Sequence, residues 1–151
     1  MQYLYVDPSD DENKPIPSAF KTVTAAIAAI TSYPFSILIR RGTILKEAVN
    51  ARLVNTSSNM SFFDTYGEGP VPKWLSTSNS AGQLASWNAR RITVQNIHFM
   101  DRDDGFLASA TSVNLQCTGD ASGVAGVHVK NCYFTGNAYS VSNPQKNTVG
   151  R

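Results

Sequence analysis

The chain has 151 residues, enough for one domain of ordinary size, and its apolar fraction of 42% can support a hydrophobic core. Charged residues make up only 16%, whereas Ser, Thr and Asn together number 40, a balance that favours strands joined by turns over a charged helical bundle. The net charge of +2 argues against a nucleic-acid partner, and no apolar run is long enough for a transmembrane helix. We therefore expect neither nucleic acid nor a membrane as a partner.

One amphipathic helix is predicted near the N-terminus, over residues 18–32. Residues 7–17 before it have the composition of turns, and Ser18 stands where an N-cap is expected. An apolar stripe at helical spacing then runs up to Pro34 and consists of Phe20, Val23, Ile27 and Ile30. We expect this stripe to cover the beginning of the core, near Ile37 and Ile39.

The rest of the chain consists of short apolar segments separated by Gly, Asn, Asp or Ser, which is typical of short strands. These segments alone fit a β-sandwich as well as a repeating fold, so an internal repeat has to decide between them. The predicted strands cover 36–40, 60–66, 91–95, 97–100, 112–117, 127–130 and 132–134.

Such a repeat exists, because the pattern of residues 92–99 returns 35 residues later in 127–134. In both copies the apolar alternation breaks at an asparagine, Asn96 or Asn131, and resumes directly after it. A straight strand cannot keep both halves on one face, whereas a strand that bends at the Asn can, since Asn tolerates the left-handed conformation. We therefore predict parallel stacking and an amide ladder of Asn96 with Asn131. The side chains of Ile92, Val94, Ile97 and Phe99 are expected against Val127, Val129, Cys132 and Phe134.

Several segments, in their order along the chain, resemble the right-handed parallel β-helix proteins of the pectin-lyase-like superfamily. Tyr5-Val6-Asp7-Pro8, residues 37–43, residues 66–70 and residues 91–97 are each similar to segments of this fold. The resemblance implies an all-β, right-handed parallel β-helix (a solenoid) with an N-terminal capping α-helix. Residues 1–35 would be the N-terminal loop and capping helix, and 36–151 the first three or four coils.

By the same resemblance the C-terminal end of the coil stack is uncapped, and an uncapped solenoid end exposes strand edges and core. Further coils of the same β-helix, or another chain in a homotrimer, are therefore expected to cover that end. The family mostly acts on polysaccharides, and its members include lyases, hydrolases and bacteriophage tailspikes. The resemblance thus implies the N-terminal portion of a tailspike-like or depolymerase-like protein, extracellular or virion-associated, which binds or degrades polysaccharide and is inactive alone. The alternative is a non-catalytic structural or glycan-binding module of a phage tail or adhesin.

The densest group of candidate catalytic residues follows the strand that ends at Met100. Asp101, Asp103 and Asp104 place three carboxylates within four residues, and their mutual repulsion favours the raised pKa that a general acid requires. The competing interpretation is an ordinary turn, because aspartates before Gly105 are common turn formers. Neither a metal site nor a cofactor is predicted from the residues, and Ca²⁺ is implied only if the protein is a lyase.

Candidate polysaccharide-binding residues combine flat rings with polar or cationic side chains. Tyr66 is a further possible stacking residue, and packing beneath a loop is the alternative for every aromatic residue. His98 alternates out of the core in the repeat and is a weaker candidate for a catalytic base. The substrate-binding candidates are Trp74, Trp87, Arg102, His128 and Lys130.

Overall fold

The computed structural model describes residues 1–9, 11, 15–75, 84–100, 115–119 and 126–135, with the backbone alone for 85–88, 115–119 and 135. Within these residues there are twelve strands and one short helix, α1 (Val23–Ala28). The strands are β1 (Gln2–Val6), β2 (Phe35–Arg40), β3 (Ile44–Lys46), β4 (Val49–Val54), β5 (Ser61–Tyr66), β6 (Lys73–Leu75), β7 (Leu84–Arg90), β8 (Ile92–Gln95), β9 (His98–Met100), β10 (Leu115–Gly119), β11 (Val127–Lys130) and β12 (Tyr133–Thr135).

The strands form three parallel sheets, which confirms the all-β class. Sheet 1 has the order β1-β2-β5-β8-β11, sheet 2 the order β3-β6-β9-β12 and sheet 3 the order β4-β7-β10. From β2 onward the described strands enter sheets 1, 2 and 3 in that fixed sequence. Parallel neighbours require a crossover connection, usually a helix; α1 lies in the connection from β1 to β2, and from β2 onward strands of the other two sheets supply it.

The predicted repeat is confirmed in its register. In sheet 1 Val127 pairs with Ile92 and Val129 with Val94, and in sheet 2 Phe134 pairs with Phe99. Both pairings are parallel. A recurrence read from the sequence therefore corresponds to strands that lie directly beside each other.

The corner between sheets 1 and 2 lies at the asparagines, as predicted. Asn96 has φ 59° and Asn131 has φ 48°, both in the left-handed region that Asn tolerates better than other side chains. The expected amide ladder was wrong, however. The Asn96 amide instead donates to Asp64 Oδ1 at 2.7 Å, because that carboxylate is a stronger acceptor than a second amide would be.

The core consists of in-register rows of apolar side chains. Leu4, Ile37, Phe63 and Val94 occupy one such row across sheet 1 and are all buried. In sheet 2 the Phe99 ring stacks between Trp74, at a centroid distance of 5.7 Å, and Phe134, at 5.3 Å. Burial of each large side chain contributes about 1.5–3 kcal/mol, so these rows stabilise the packing between repeats.

The helix is shorter than predicted. It begins after Thr22, whose side chain accepts a bond from the Ala25 N–H, so Ser18 is not the N-cap. Ser18 instead lies in a turn closed by the bond from the Ala19 N–H to Ile16 O, and Phe20 then forms a parallel bridge with Val6. The expected position over the core was confirmed, since α1 lies against β1, β2 and β4 and buries Val23 and Ala26.

Residues 1–35 are also more than a loop and a helix. They contain β1, which pairs with β2 over its whole length and so belongs to sheet 1. The Gln2 side chain donates to Ala29 O at 2.9 Å and accepts from the Thr31 N–H, so this strand also closes the C-terminal end of α1. The N-terminal segment and the first sheet therefore form one packed unit.

Candidate functional site

Trp74 does not bind sugar by stacking, and this expectation is corrected. Its side chain is fully buried in β6, beneath the Phe99 ring, and its Nε1 donates to the backbone oxygen of Glu47 at 2.9 Å. Tyr66 is also packed, with its ring edge-on to Tyr5 at a centroid distance of 5.2 Å. The packed interpretation therefore applies to both aromatic residues.

Several candidates lie outside the residues that the structure describes. The catalytic candidates Asp101, Asp103 and Asp104 and the binding candidate Arg102 all belong to this group. Trp87 lies in β7, where only the backbone is described. Their proposed roles stay predictions from the sequence.

His128 and Lys130 lie on the outer face of sheet 1, as the alternation of the repeat predicts. Both side chains are exposed, two residues apart on β11, and therefore point to the same side of the strand. Neither makes a hydrogen bond or ion pair with the residues that the structure describes. Both groups are thus available to a ligand.

A second outward row, on sheet 2, was not selected as a binding site from the sequence. Lys73, His98 and Tyr133 are direct neighbours on the adjacent strands β6, β9 and β12. Tyr133 is 60% exposed, and its ring packs edge-on against the His98 imidazole at a centroid distance of 5.9 Å. Burial, with the nearby charge of Lys73, lowers the pKa of His98 and favours the neutral imidazole. The outward positions of the repeat were the signal from which His98 and Tyr133 could have been grouped.

A carboxylate and two amides form a hydrogen-bonded group at the Asn96 corner, where sheets 1 and 2 meet. Asp64 accepts from Gln95 Nε2 at 2.6 Å, from Asn96 Nδ2 at 2.7 Å and from the Thr65 N–H at 2.7 Å. Both carboxylate oxygens are therefore engaged by neutral donors from the chain itself. Asp64 positions its neighbours and is a poor candidate for an acid or base that has to exchange protons with a ligand.

We call the outward side chains on the two sides of this corner the corner surface. Because Gln95 and His98 are only three residues apart, the ends of the two outward faces adjoin. The surface offers an aromatic ring, an imidazole, an amide and two ammonium groups, whereas its carboxylate is already hydrogen-bonded. Its members are Lys73, Gln95, His98, Lys130 and Tyr133, and Asp64 accepts a hydrogen bond from Gln95.

A second polar cluster lies at the other end of sheet 1 and is internally satisfied. Asp7 is fully buried and pairs with Arg40 at 2.9 Å, while Ser9 Oγ donates to its other oxygen at 2.5 Å. Burial opposes ionisation of Asp7, but the Ser9 and Arg40 contacts outweigh it and lower its pKa. This cluster holds the loop after β1 against β2, which is a structural role.

Among the residues that the structure describes, no group of three or more His, Cys, Asp or Glu side chains is placed to hold a metal ion. The described part of the chain also contains no helix with the length and apolarity of a membrane span. Comparison of the chain with family models, curated protein sequences and solved structures gave no match.

Proposed function

We propose that this chain is a right-handed parallel β-helix module that binds polysaccharide through the corner surface. The fixed sequence in which the strands enter three parallel sheets supports the β-helix, because each circuit of the three sheets then corresponds to one coil. A solenoid of this kind presents long outer faces across its coils, and an extended ligand can lie along such a face.

The observation that carries the binding function is the exposed Tyr133 ring, which lies in the same outward row as the exposed Lys73. An aromatic ring held edge-on against His98 is a rigid platform with one open side, suited to the apolar face of a sugar ring. The ammonium groups of Lys73 and Lys130 supply hydrogen-bond donors for hydroxyl groups, whereas the Gln95 amide already donates to Asp64. A few polar groups around an aromatic contact are the usual composition of a ligand site.

Binding is favoured over cleavage by the carboxylates of this surface. Glycoside hydrolysis generally requires two carboxyl groups, separated by about 5–9.5 Å depending on the mechanism. On the corner surface the described carboxylate is Asp64, and both its oxygens accept hydrogen bonds from the chain. We therefore place this module in the non-catalytic part of a tailspike-like or adhesin-like protein, extracellular or virion-associated. We also propose further coils of the same β-helix, or a homotrimer, as partners of this module.

The proposal is tested by the affinity electrophoresis of the purified chain through gels that contain bacterial polysaccharides, acidic and neutral. We expect retardation in at least one gel, and its loss in Tyr133→Ala. Tyr3→Ala is the matched control, because Tyr3 is 58% exposed but lies on β1, far along sheet 1 from the corner. Far-ultraviolet circular dichroism shows that each variant is folded.

Unchanged migration in every gel would contradict the proposal, as would equal losses in Tyr133→Ala and Tyr3→Ala. In the same samples, reducing ends and unsaturated products are measured to detect cleavage. If the chain cleaves polysaccharide and this activity disappears in Asp103→Asn or Asp104→Asn, the protein is an enzyme and the proposal of a non-catalytic module is wrong.

A further inference from the structure

We propose that two copies of this chain associate through their upstream ends, by antiparallel pairing of the open edge of β1 with the same edge of a second copy. The pairing joins two five-stranded copies of sheet 1 into one continuous sheet. Because α1 packs against β1, the α1 helices of both copies lie at the same junction. The upstream end consists of β1, β4 and α1, so this association is independent of polysaccharide binding at the corner surface.

One edge of β1 has main-chain groups without partners. Toward β2, alternate residues of β1 form the ladder, which begins with the Gln2 N–H donating to Pro34 O at 3.0 Å. On the opposite edge, Tyr5 O accepts from the Phe20 N–H at 2.8 Å, in the one bridge that this edge makes with described residues. The N–H and C=O of Tyr3 and the N–H of Tyr5 also point to this edge, because they alternate with the ladder residues. Within the described residues nothing pairs with these three groups.

This edge also lacks the features that keep sheet edges from pairing. Natural edge strands are protected by charged side chains, by Pro, by bulges or by a covering segment. The five residues of β1, QYLYV, include neither a charge nor a Pro, and they pair with β2 in an unbroken register. Two exposed large apolar side chains lie here, Met1 at 56% and Tyr3 at 58% exposure. The edge is therefore a template for an additional strand.

The outer face of α1 is a second, independent indication that the upstream end is covered. The terminal cap of a solenoid needs a polar outer face to remain soluble, and the exposed face of a helix usually carries charges. No residue of α1 is charged, and its exposed positions are Thr24, Ala25 and Ala28. Such small side chains allow another helix to approach closely. An uncharged sheet edge and an uncharged helix face thus adjoin at the same end.

The symmetry of a pair of copies favours a second copy as the partner. A two-fold axis brings identical side chains together, so a charge near the axis would oppose association, and neither β1 nor α1 carries one. In an antiparallel pair, a residue whose N–H and C=O both face the partner exchanges two hydrogen bonds with the residue opposite. Tyr3 is such a residue, and Tyr3 of the second copy, placed opposite, satisfies both groups. Because Phe20 occupies the edge beyond Tyr5, the pairing centres on Tyr3.

The first test is sedimentation equilibrium of the full chain over several orders of magnitude in concentration. We expect a concentration-dependent rise from 16.4 kDa, the mass of one chain, to twice that mass. Tyr3→Lys places two ammonium groups opposite each other at the axis, and should raise the dissociation constant by about tenfold or more. Tyr133→Lys is the matched control and should not change it, because Tyr133 is 60% exposed but lies on β12 at the downstream end.

A second variant acts on the main chain instead of the side chain. Tyr3→Pro removes an N–H that does not belong to the ladder with β2, so the fold of the monomer is kept while pairing at the open edge is prevented. Its dissociation constant should rise at least as much as that of Tyr3→Lys. Tyr3→Ala retains both main-chain groups and is therefore not a disrupting variant. Far-ultraviolet circular dichroism shows that each variant is folded.

Hydrogen exchange measured by mass spectrometry identifies the edge and its occupant. Protection of the Tyr3 and Tyr5 amides should increase with the concentration of the wild-type chain and should not increase in Tyr3→Lys. Protection of β12 should be independent of concentration in both. If the β1 amides are protected equally at every concentration, another segment of the same chain occupies the edge and the proposal is wrong.

A wild-type chain that stays monomeric at every concentration would also overturn the proposal. So would a dimer or trimer that both Tyr3 variants leave intact, or one that Tyr133→Lys weakens as much as Tyr3→Lys does. If one of the two Tyr3 variants does not fold, the other variant and the hydrogen exchange of the wild-type chain decide.

Discussion

The two ends of the strand stack differ in how their charged and polar groups are used. At the upstream end the chain satisfies its own carboxylates: Asp7 pairs with Arg40, and Glu47 accepts from the Val23 and Thr24 N–H groups at 2.7 and 3.1 Å. This second contact holds the N-terminal end of α1, whose first backbone donors would otherwise have no acceptor. Polar side chains at this end therefore serve the fold.

At the downstream end the inward side chains are less buried, and the outward polar side chains are exposed. The inward residues Val127, Val129 and Phe134 are only partly buried, whereas their partners one repeat earlier, Ile92, Val94 and Phe99, are at most 2% exposed. On the outer face His128, Lys130 and Tyr133 are exposed. The comparison teaches that substitutions upstream should reduce stability with little effect on binding, and substitutions of exposed residues downstream should do the reverse.

The largest effect is expected within the aromatic stack of Trp74, Phe99 and Phe134. Trp74 and Phe99 are fully buried, whereas Phe134 is partly exposed. Trp74→Ala removes a fully buried indole and the bond to Glu47 O, and should lower the free energy of unfolding by about 3–5 kcal/mol. Phe134→Ala, in the same stack but partly exposed, should cost clearly less. Urea unfolding followed by circular dichroism measures both, and equal costs would remove the distinction between the two ends.

The next effect concerns the corner asparagines. Replacement by Ala keeps a side chain in the left-handed conformation, which costs about 1–2 kcal/mol. Asn96→Ala also loses the bond to Asp64, so it should be more destabilising than Asn131→Ala by about 0.5–1.5 kcal/mol. Asn96→Gly relieves the strain but still loses the bond, so it should cost less than Asn96→Ala. If both Ala variants unfold at the same urea concentration, the Asp64 contact contributes nothing.

A smaller effect is expected at the helix start. Glu47→Ala removes the acceptor of two backbone N–H groups and of the Thr24 hydroxyl, and should cost about 0.5–2 kcal/mol, as loss of an N-cap does. Glu68→Ala is the control, because Glu68 is exposed and lies in the turn after β5. Thermal unfolding of the two variants distinguishes a helix-capping carboxylate from a general charge effect, which would lower both melting temperatures alike.

The smallest effects are pH-dependent. His98 has a lowered pKa in the folded chain, so the unfolded chain binds more protons, and stability should fall as the pH drops below about 6.5. His98→Gln should reduce this loss between pH 7.5 and 5.5, as measured by unfolding at each pH. Asp7 also has a lowered pKa, and its stabilisation should be present above about pH 3.8 and lost as the pH falls further. An identical acid profile for wild type and His98→Gln would contradict the first expectation.

The repeat was predictable from the sequence because strand geometry has a period of two. Alternation in 92–99 and 127–134 identified which side chains point inward and outward, and the interruption at Asn96 and Asn131 identified the corner. The strands β3 and β6 were not predicted, since three residues are too few to reveal alternation unless a repeat identifies them, as it did for β9 and β12. The missed strands β1, β4 and β7 are longer, but turn-like or polar residues among or beside them obscured the pattern.

The sequence by itself therefore determined the strand-rich composition, the parallel recurrence and the outward direction of His98, His128, Lys130 and Tyr133, because these depend on neighbours within a few residues. Only the tertiary structure decided which carboxylates are hydrogen-bonded within the chain and which aromatic side chains are buried. The carboxylates of Asp7, Glu47 and Asp64 meet donors 23–33 residues away in the chain, and Trp74 is buried by strands of other repeats. Such contacts are set by sheet register, which brings distant residues together and which no local pattern around an acidic or aromatic residue specifies.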